Sequence, residues 1–97
     1  MKANCPKGMK EIVLHEWSDK LKSLAHPVRL RIVEGLLRDE CNVKKIQVDL
    51  GLPQSTVSQH LAILRKEKIL RAKRKGTQKC YKVVDPRIAE LIRLISK

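Results

Sequence analysis

The sequence predicts a mainly α domain completed by one β-hairpin and a last helix. Three observations carry this prediction. Apolar residues recur at three- and four-residue spacing in five segments, two short strand-like runs interrupt them between Ile69 and Val84, and Pro or Gly punctuates most junctions. The 97 residues leave room for one hydrophobic core. Residues 1–8, with Asn4, Pro6 and Gly8, read as a flexible arm, and residues 9–97 as a single domain.

From Met9 to Ala25 the first helix carries Val13, Trp17, Leu21 and Leu24 on one face. His26-Pro27 ends it. Pro27 suits the first position of a second helix, where its missing N–H would have no intrahelical partner in any case. Leu30, Val33 and Leu37 give that helix an apolar stripe ending near Arg38. Asn42 is placed to cap a short third helix with Val43, Ile46 and Leu50 inward, and Gly51 follows as a left-handed C-terminal residue. After Leu52-Pro53 a fourth helix runs from about Gln54 to Lys66, buried through Val57, Leu61 and Leu64. Ile69–Arg74 and Lys79–Val84 form two strands around a turn at Lys75-Gly76-Thr77-Gln78. Asp85 caps the final helix and Pro86 starts it, with Ile88, Leu91, Ile92 and Ile95 along one side.

Charge narrows the function. Twenty-two Lys and Arg against ten Asp and Glu give a net charge of +12, which calls for a polyanionic partner, either nucleic acid or an anionic membrane surface. Nine of the basic residues lie between Arg65 and Lys82, opposed only by Glu67. No apolar run reaches the roughly 18 residues of a membrane span, so no membrane partner is expected. Met1–Lys10 lacks the apolar stretch of a secretory signal. Cys5, Cys41 and Cys80 are odd in number and form no CxxC pair, which fits a reducing cytoplasm. One Trp, one Tyr and no Phe offer few stacking platforms for RNA. A protein-only interaction module would not need the basic hairpin. Ser58 and His60, two apart on a helix, point to different faces and make no catalytic dyad. No phosphate-binding loop or cofactor motif is present, so neither an enzyme nor a cofactor is expected.

Two short helices joined by a tight Gly-containing turn follow the helix-turn-helix plan, and the basic hairpin adds a wing. The expected fold class is a winged helix-turn-helix of order helix, helix, helix, helix, strand, strand, helix. With Val57, Leu61 and Leu64 inward, the fourth helix offers Gln54, Ser55, Thr56, Ser58, Gln59 and His60 to base edges in duplex DNA. Arg71, Lys73, Arg74, Lys75 and Lys79 on the hairpin are expected to hold phosphates. The terminal stripe of Ile88, Leu91, Ile92 and Ile95, together with Val13 and Trp17, predicts a two-fold homodimer.

Leu24-Ala25-His26-Pro27-Val28-Arg29-Leu30 and Leu52-Pro53-Gln54-Ser55-Thr56-Val57-Ser58-Gln59-His60-Leu61 strongly resemble the ArsR/SmtB family of bacterial winged-helix repressors, across roughly residues 9–95. The resemblance implies a dimer joined through its first and last helices, an operator with two-fold symmetry, and repression relieved by an inducer, often a metal ion. It places the recognition string on Gln54, Ser55, Thr56, Ser58, Gln59 and His60, and the wing on Arg71 through Lys79. The sequence departs from the family at both usual metal sites. Asn42-Val43-Lys44 stands where many members have Cys-Val-Cys, and residues 86–97 contain neither Asp nor His. Gln47 stands where the helix-turn-helix usually has a small residue.

The inducer therefore stays open at this level. In relatives with arm cysteines the arm reaches the third helix, so Cys5 and Cys41 are candidates for a reversible disulfide or mixed persulfide. A two-thiolate metal site completed by His15 is a second reading, and soft metals prefer more ligands than that. The third makes Cys41 a small buried hydrophobe and Cys5 an exposed thiol, leaving a regulator without a small-molecule inducer. Cys80 is expected to pack, His26 to pair with backbone at a helix start, and His60 to serve the DNA face or a cap.

Overall fold

The computed structural model describes residues 8–97, so Cys5 lies outside the described residues. Five helices and one hairpin follow in the expected order: α1 (Glu11–Leu24), α2 (Pro27–Arg38), α3 (Val43–Leu50), α4 (Gln54–Lys66), β1 (Leu70–Lys75), β2 (Gln78–Val83) and α5 (Pro86–Ile95). The architecture is the winged helix-turn-helix that the sequence predicts.

Local chemistry sets the boundaries. The His26 side chain accepts a hydrogen bond from the Val28 N–H at 3.1 Å and so caps α2, with Pro27 in its first turn. Asp85 does the same for α5, accepting from the Arg87 N–H at 2.9 Å. The Arg87 guanidinium folds back onto the same carboxylate and holds its pKa below the usual carboxylate range. Asn42 precedes α3 as expected but makes no side-chain cap bond. Gly51 closes α3 at φ +65°, in the left-handed region. Lys68, at φ +59°, makes the corresponding reversal between α4 and β1, and the Ile69 N–H returns to the Leu64 carbonyl at 2.9 Å.

Antiparallel pairing runs from Leu70 opposite Val83 to Lys75 opposite Gln78. The turn is thus two residues, Gly76-Thr77, instead of the expected four, and both strands sit one residue away from the predicted bounds. Gly76 at φ +64° supplies the conformation a tight hairpin needs, so Lys75 and Gln78 stay in the ladder.

The core lies where α2, α4, α5 and the base of the hairpin meet. Val33, Leu36, Leu64, Ile69 and Ile88 are fully buried there, and Val57, Leu61 and Ile92 nearly so. The α2 stripe turns out to be Ile32, Val33 and Leu36, with Leu30 and Leu37 only half-buried against it. Leu21 is exposed and contributes nothing to the face expected of α1. Ile88 and Ile92, expected on an intersubunit stripe, are core residues of the single chain, because α5 packs on α2 and the hairpin. Leu94 and Ile95, each 59 % exposed, and Ile12 at 73 % are, with Leu21, the large apolar groups left uncovered on the two terminal helices. Val13, Trp17 and Leu91 are half-buried. Trp17 is flanked by cations, with the Arg87 guanidinium 4.6 Å and the Lys20 ammonium 5.6 Å from its ring.

Candidate nucleic-acid interface

Gly51 turns the chain sharply between α3 and α4, and Val57, Leu61 and Leu64 pin α4 to the core. Among the described residues the opposite face of α4 is left largely uncovered. Gln54, Ser55, Ser58 and Gln59 are exposed there, and Thr56 is half-buried. These are short or amide side chains, able to donate to and accept from base edges without first shedding a charge.

His60 departs from this pattern. It is half-buried on α4, and its ring faces that of His26 across 4.8 Å. Its Nδ1 is buried without a hydrogen-bond partner among the described residues, as is the Nε of Arg29. Burial first, then the neighbouring His26 and Arg29, pushes the His60 pKa below its ordinary value. A neutral ring packed on α2 fits a positioning role better than a base contact.

The hairpin carries exposed Arg71, Lys73, Arg74, Lys75 and Lys79. A cleft of about 390 Å³ joins wing to helix: Lys44 and Gln47 of α3, Gln54 and Ser58 of α4, and Gln78 and Lys79 of β2 all line it, above Tyr81. Lys44, Gln47 and Gln78 were not among the site residues expected from the sequence. The available signal was Lys44-Lys45 in the first turn of α3, where a cation faces the groove between helix and wing.

The same cleft is bordered by Cys41, which forms a disulfide with Cys80 of β2, the two Cα atoms 4.2 Å apart. Cys80 is fully buried, as a packing residue should be, and it is also the partner of Cys41. The sequence pairs Cys41 with Cys5 through the resemblance to relatives whose arm reaches the third helix; the fold instead returns β2 to the segment before α3. Beside the bridge the Tyr81 N–H donates to the Glu40 carbonyl at 2.8 Å, and Glu40 forms an ion pair with Lys73. Among the described residues no three His, Cys, Asp or Glu side chains gather closely enough to hold a metal ion. No helix among them is long and apolar enough to cross a membrane.

A helix-turn-helix with a polar outer helix and a basic hairpin at its side defines a winged helix-turn-helix DNA-binding protein. The chain belongs to the arsR family of bacterial regulatory proteins, whose family model matches residues 26–72. It is 40 % identical to the transcriptional repressor PagR of Bacillus anthracis over 84 residues, covering 86 % of this chain and 84 % of that one. The crystal structure of PagR superposes with a TM-score of 0.78, covering 89 % of this chain and 99 % of the other. The homodimeric winged helix-turn-helix DNA-binding domain from Mycobacterium bovis gives a TM-score of 0.77 at 27 % identity, covering 99 % and 87 %. Reduced HlyU from Vibrio cholerae gives 0.78 at 29 % identity, covering 88 % and 90 %. The protein is a DNA-binding transcription regulator and not an enzyme.

Proposed function

We propose that the chain is a cytoplasmic, homodimeric transcriptional repressor that binds a two-fold symmetric operator in duplex DNA. Gln54, Ser55, Thr56, Ser58 and Gln59 read base edges in the major groove, with His60 holding α4 in place. Arg71, Lys73, Arg74, Lys75 and Lys79 hold phosphates. The observation that carries this reading is the shared cleft, in which the polar residues Gln54 and Ser58 of α4 stand opposite Lys79 of the wing. Reader and clamp thus border one groove.

Dimerisation is supported by the uncovered Ile12, Leu94 and Ile95 beside half-buried Val13, Trp17 and Leu91, and by the homodimeric M. bovis domain. A two-fold dimer would present its α4 helices about 34–36 Å apart, one helical turn of DNA. Repression is supported by the likeness to PagR. Electrophoretic mobility shifts with duplex DNA, single-stranded DNA and structured RNA test the reading. The duplex should be bound best, and fragments of the protein's own promoter region should outcompete mixed-sequence duplex. Preference for RNA or single strands would overturn it. The thiol response expected of Cys5 and Cys41 is retained for Cys41, whose partner is Cys80.

A further inference from the structure

The two cysteines of the Cys41–Cys80 bridge differ in burial. Cys80 is fully buried, whereas Cys41 is half-buried and borders the open cleft between α3, α4 and β2. A nucleophile arriving from solvent therefore meets Cys41. Glu40, the adjacent residue, gives its carbonyl to the Tyr81 N–H and its carboxylate to Lys73. Lys73 in turn sits directly opposite Cys80 in the hairpin ladder. The closed bridge thus holds a carboxylate on a wing cation that would otherwise be free to meet a DNA phosphate.

We propose that Cys41 is a thiol-exchange site for small-molecule disulfides, and that closing the bridge to Cys80 weakens DNA binding by holding Glu40 on Lys73. This rests on the DNA-binding reading above. In the open form the Cys41 thiolate attacks a small disulfide RSSR, giving Cys41–S–SR and RS⁻. The Cys80 thiol then loses its proton, attacks the Cys41 sulfur and expels a second RS⁻. Two cysteine thiols are oxidised to one disulfide, and one RSSR is reduced to two RSH. In reverse, a small thiolate attacks the Cys41 sulfur, Cys80 leaves as thiolate and takes up a proton, and a second thiolate frees Cys41. Opening replaces a covalent S–S bond of about 2.05 Å by a longer non-bonded contact. The segment bearing Glu40 then moves off β2, and Lys73 becomes available to phosphate.

Linkage makes the effect reciprocal: if the bridge weakens DNA binding, DNA must disfavour the bridge by the same factor. Because the contact involved is to phosphate, a mixed-sequence duplex suffices as probe. The protein is equilibrated with reduced or oxidised glutathione, its thiols are mapped by alkylation and mass spectrometry, and affinity for labelled duplex is read by fluorescence anisotropy. The dithiol form should bind at least about fivefold more tightly, with a salt slope steeper by up to about two units per dimer. Duplex DNA should shift the glutathione equilibrium toward dithiol by the same factor. Glu40→Gln should bring the bridged form to the affinity of the open form while Cys41 and Cys80 still join. It needs no change in either cysteine, so a misfolded cysteine variant does not cloud the result. Equal affinity in both thiol states, a persisting difference in Glu40→Gln, or a bridge that maps to Cys5 would each overturn the proposal. Failure of the dithiol form to bind any duplex would instead overturn the DNA-binding reading.

Discussion

The rings of His26 and His60 face each other with centroids 4.8 Å apart and planes tilted by 50°. His26 is fixed by the hydrogen bond that caps α2, and His60 projects from α4, so the pair joins the start of one helix to the DNA-reading helix. Arg29 adds a fixed positive charge beside it. A proton on His60 would bring charge to a half-buried site already facing a cation, and the folded state resists it.

Stability should therefore depend on His60 in mildly acidic solution. Its folded pKa is lowered, so as pH falls through the unfolded value of about 6.5 the unfolded chain takes up protons first. The contribution is fully present above that pH and is lost as pH drops toward the folded value. Denaturant melts between about pH 7.5 and pH 5.5 should show a fall that His60→Gln makes shallower. An identical pH profile in the variant would remove His60 from the account.

Wing and helix should fail differently. Arg74→Ala should weaken specific and mixed-sequence duplexes alike, and flatten the salt slope by up to about two units in a dimer. Gln59→Ala should instead lose about 1–3 kcal/mol of discrimination at one base pair in each half-site. Binding isotherms at several salt concentrations, on a panel of single-base operator variants, read both effects. The opposite pattern would exchange the two roles.

The terminal helix should separate assembly from folding within one turn. Ile95→Asp falls on an exposed residue and should shift analytical ultracentrifugation toward monomer, with the chain still folded at high concentration. Ile92→Ala falls on a core residue and should cost about 2–5 kcal/mol of stability. A dimer unaffected by Ile95→Asp would move the interface elsewhere.

Gly35 admits α3 to α2. A Cβ there would lie 2.6 Å from Cδ1 and 3.0 Å from Cγ1 of buried Ile46. Gly35→Ala should accordingly destabilise by about 1–3 kcal/mol, despite the higher helix propensity of Ala. Adding Ile46→Val removes Cδ1 and should make the pair less costly than the sum of the single changes. Thermal melts of the four proteins of the cycle give the coupling.

Elements governed by local chemistry were legible in the sequence. His26-Pro27, Gly51 and Asp85-Pro86 place helix ends within a residue or two, since caps and left-handed turns depend on neighbours in the chain. The polar face of α4 was legible because Val57, Leu61 and Leu64 mark its inward side unambiguously. What escaped needed contacts distant in sequence. Periodicity makes Ile92 and Ile95 look alike, yet only Ile92 enters the core. Gly35 carries no periodic signal, and its purpose appears only beside Ile46. His60 reads as one more polar residue of α4 until α2 brings His26 to it. Cys41 and Cys80 are 39 residues apart and meet because β2 returns to the segment before α3.

That return also changes what cutting the chain would do. The covalent ring between Cys41 and Cys80 encloses α3, α4 and the wing tip, and leaves α1, α2 and α5 outside. Lys75-Gly76 at the tip is exposed and is the natural point of tryptic attack. A cut there falls inside the ring, so the oxidised protein would remain one molecule, its C-terminal helix still tethered to the DNA-reading half by sulfur. After reduction the same cut would separate residues 1–75 from residues 76–97, leaving cohesion to packing alone. A nicked wing and a severed regulator are thus distinct fates, and the thiol state of one residue pair decides between them.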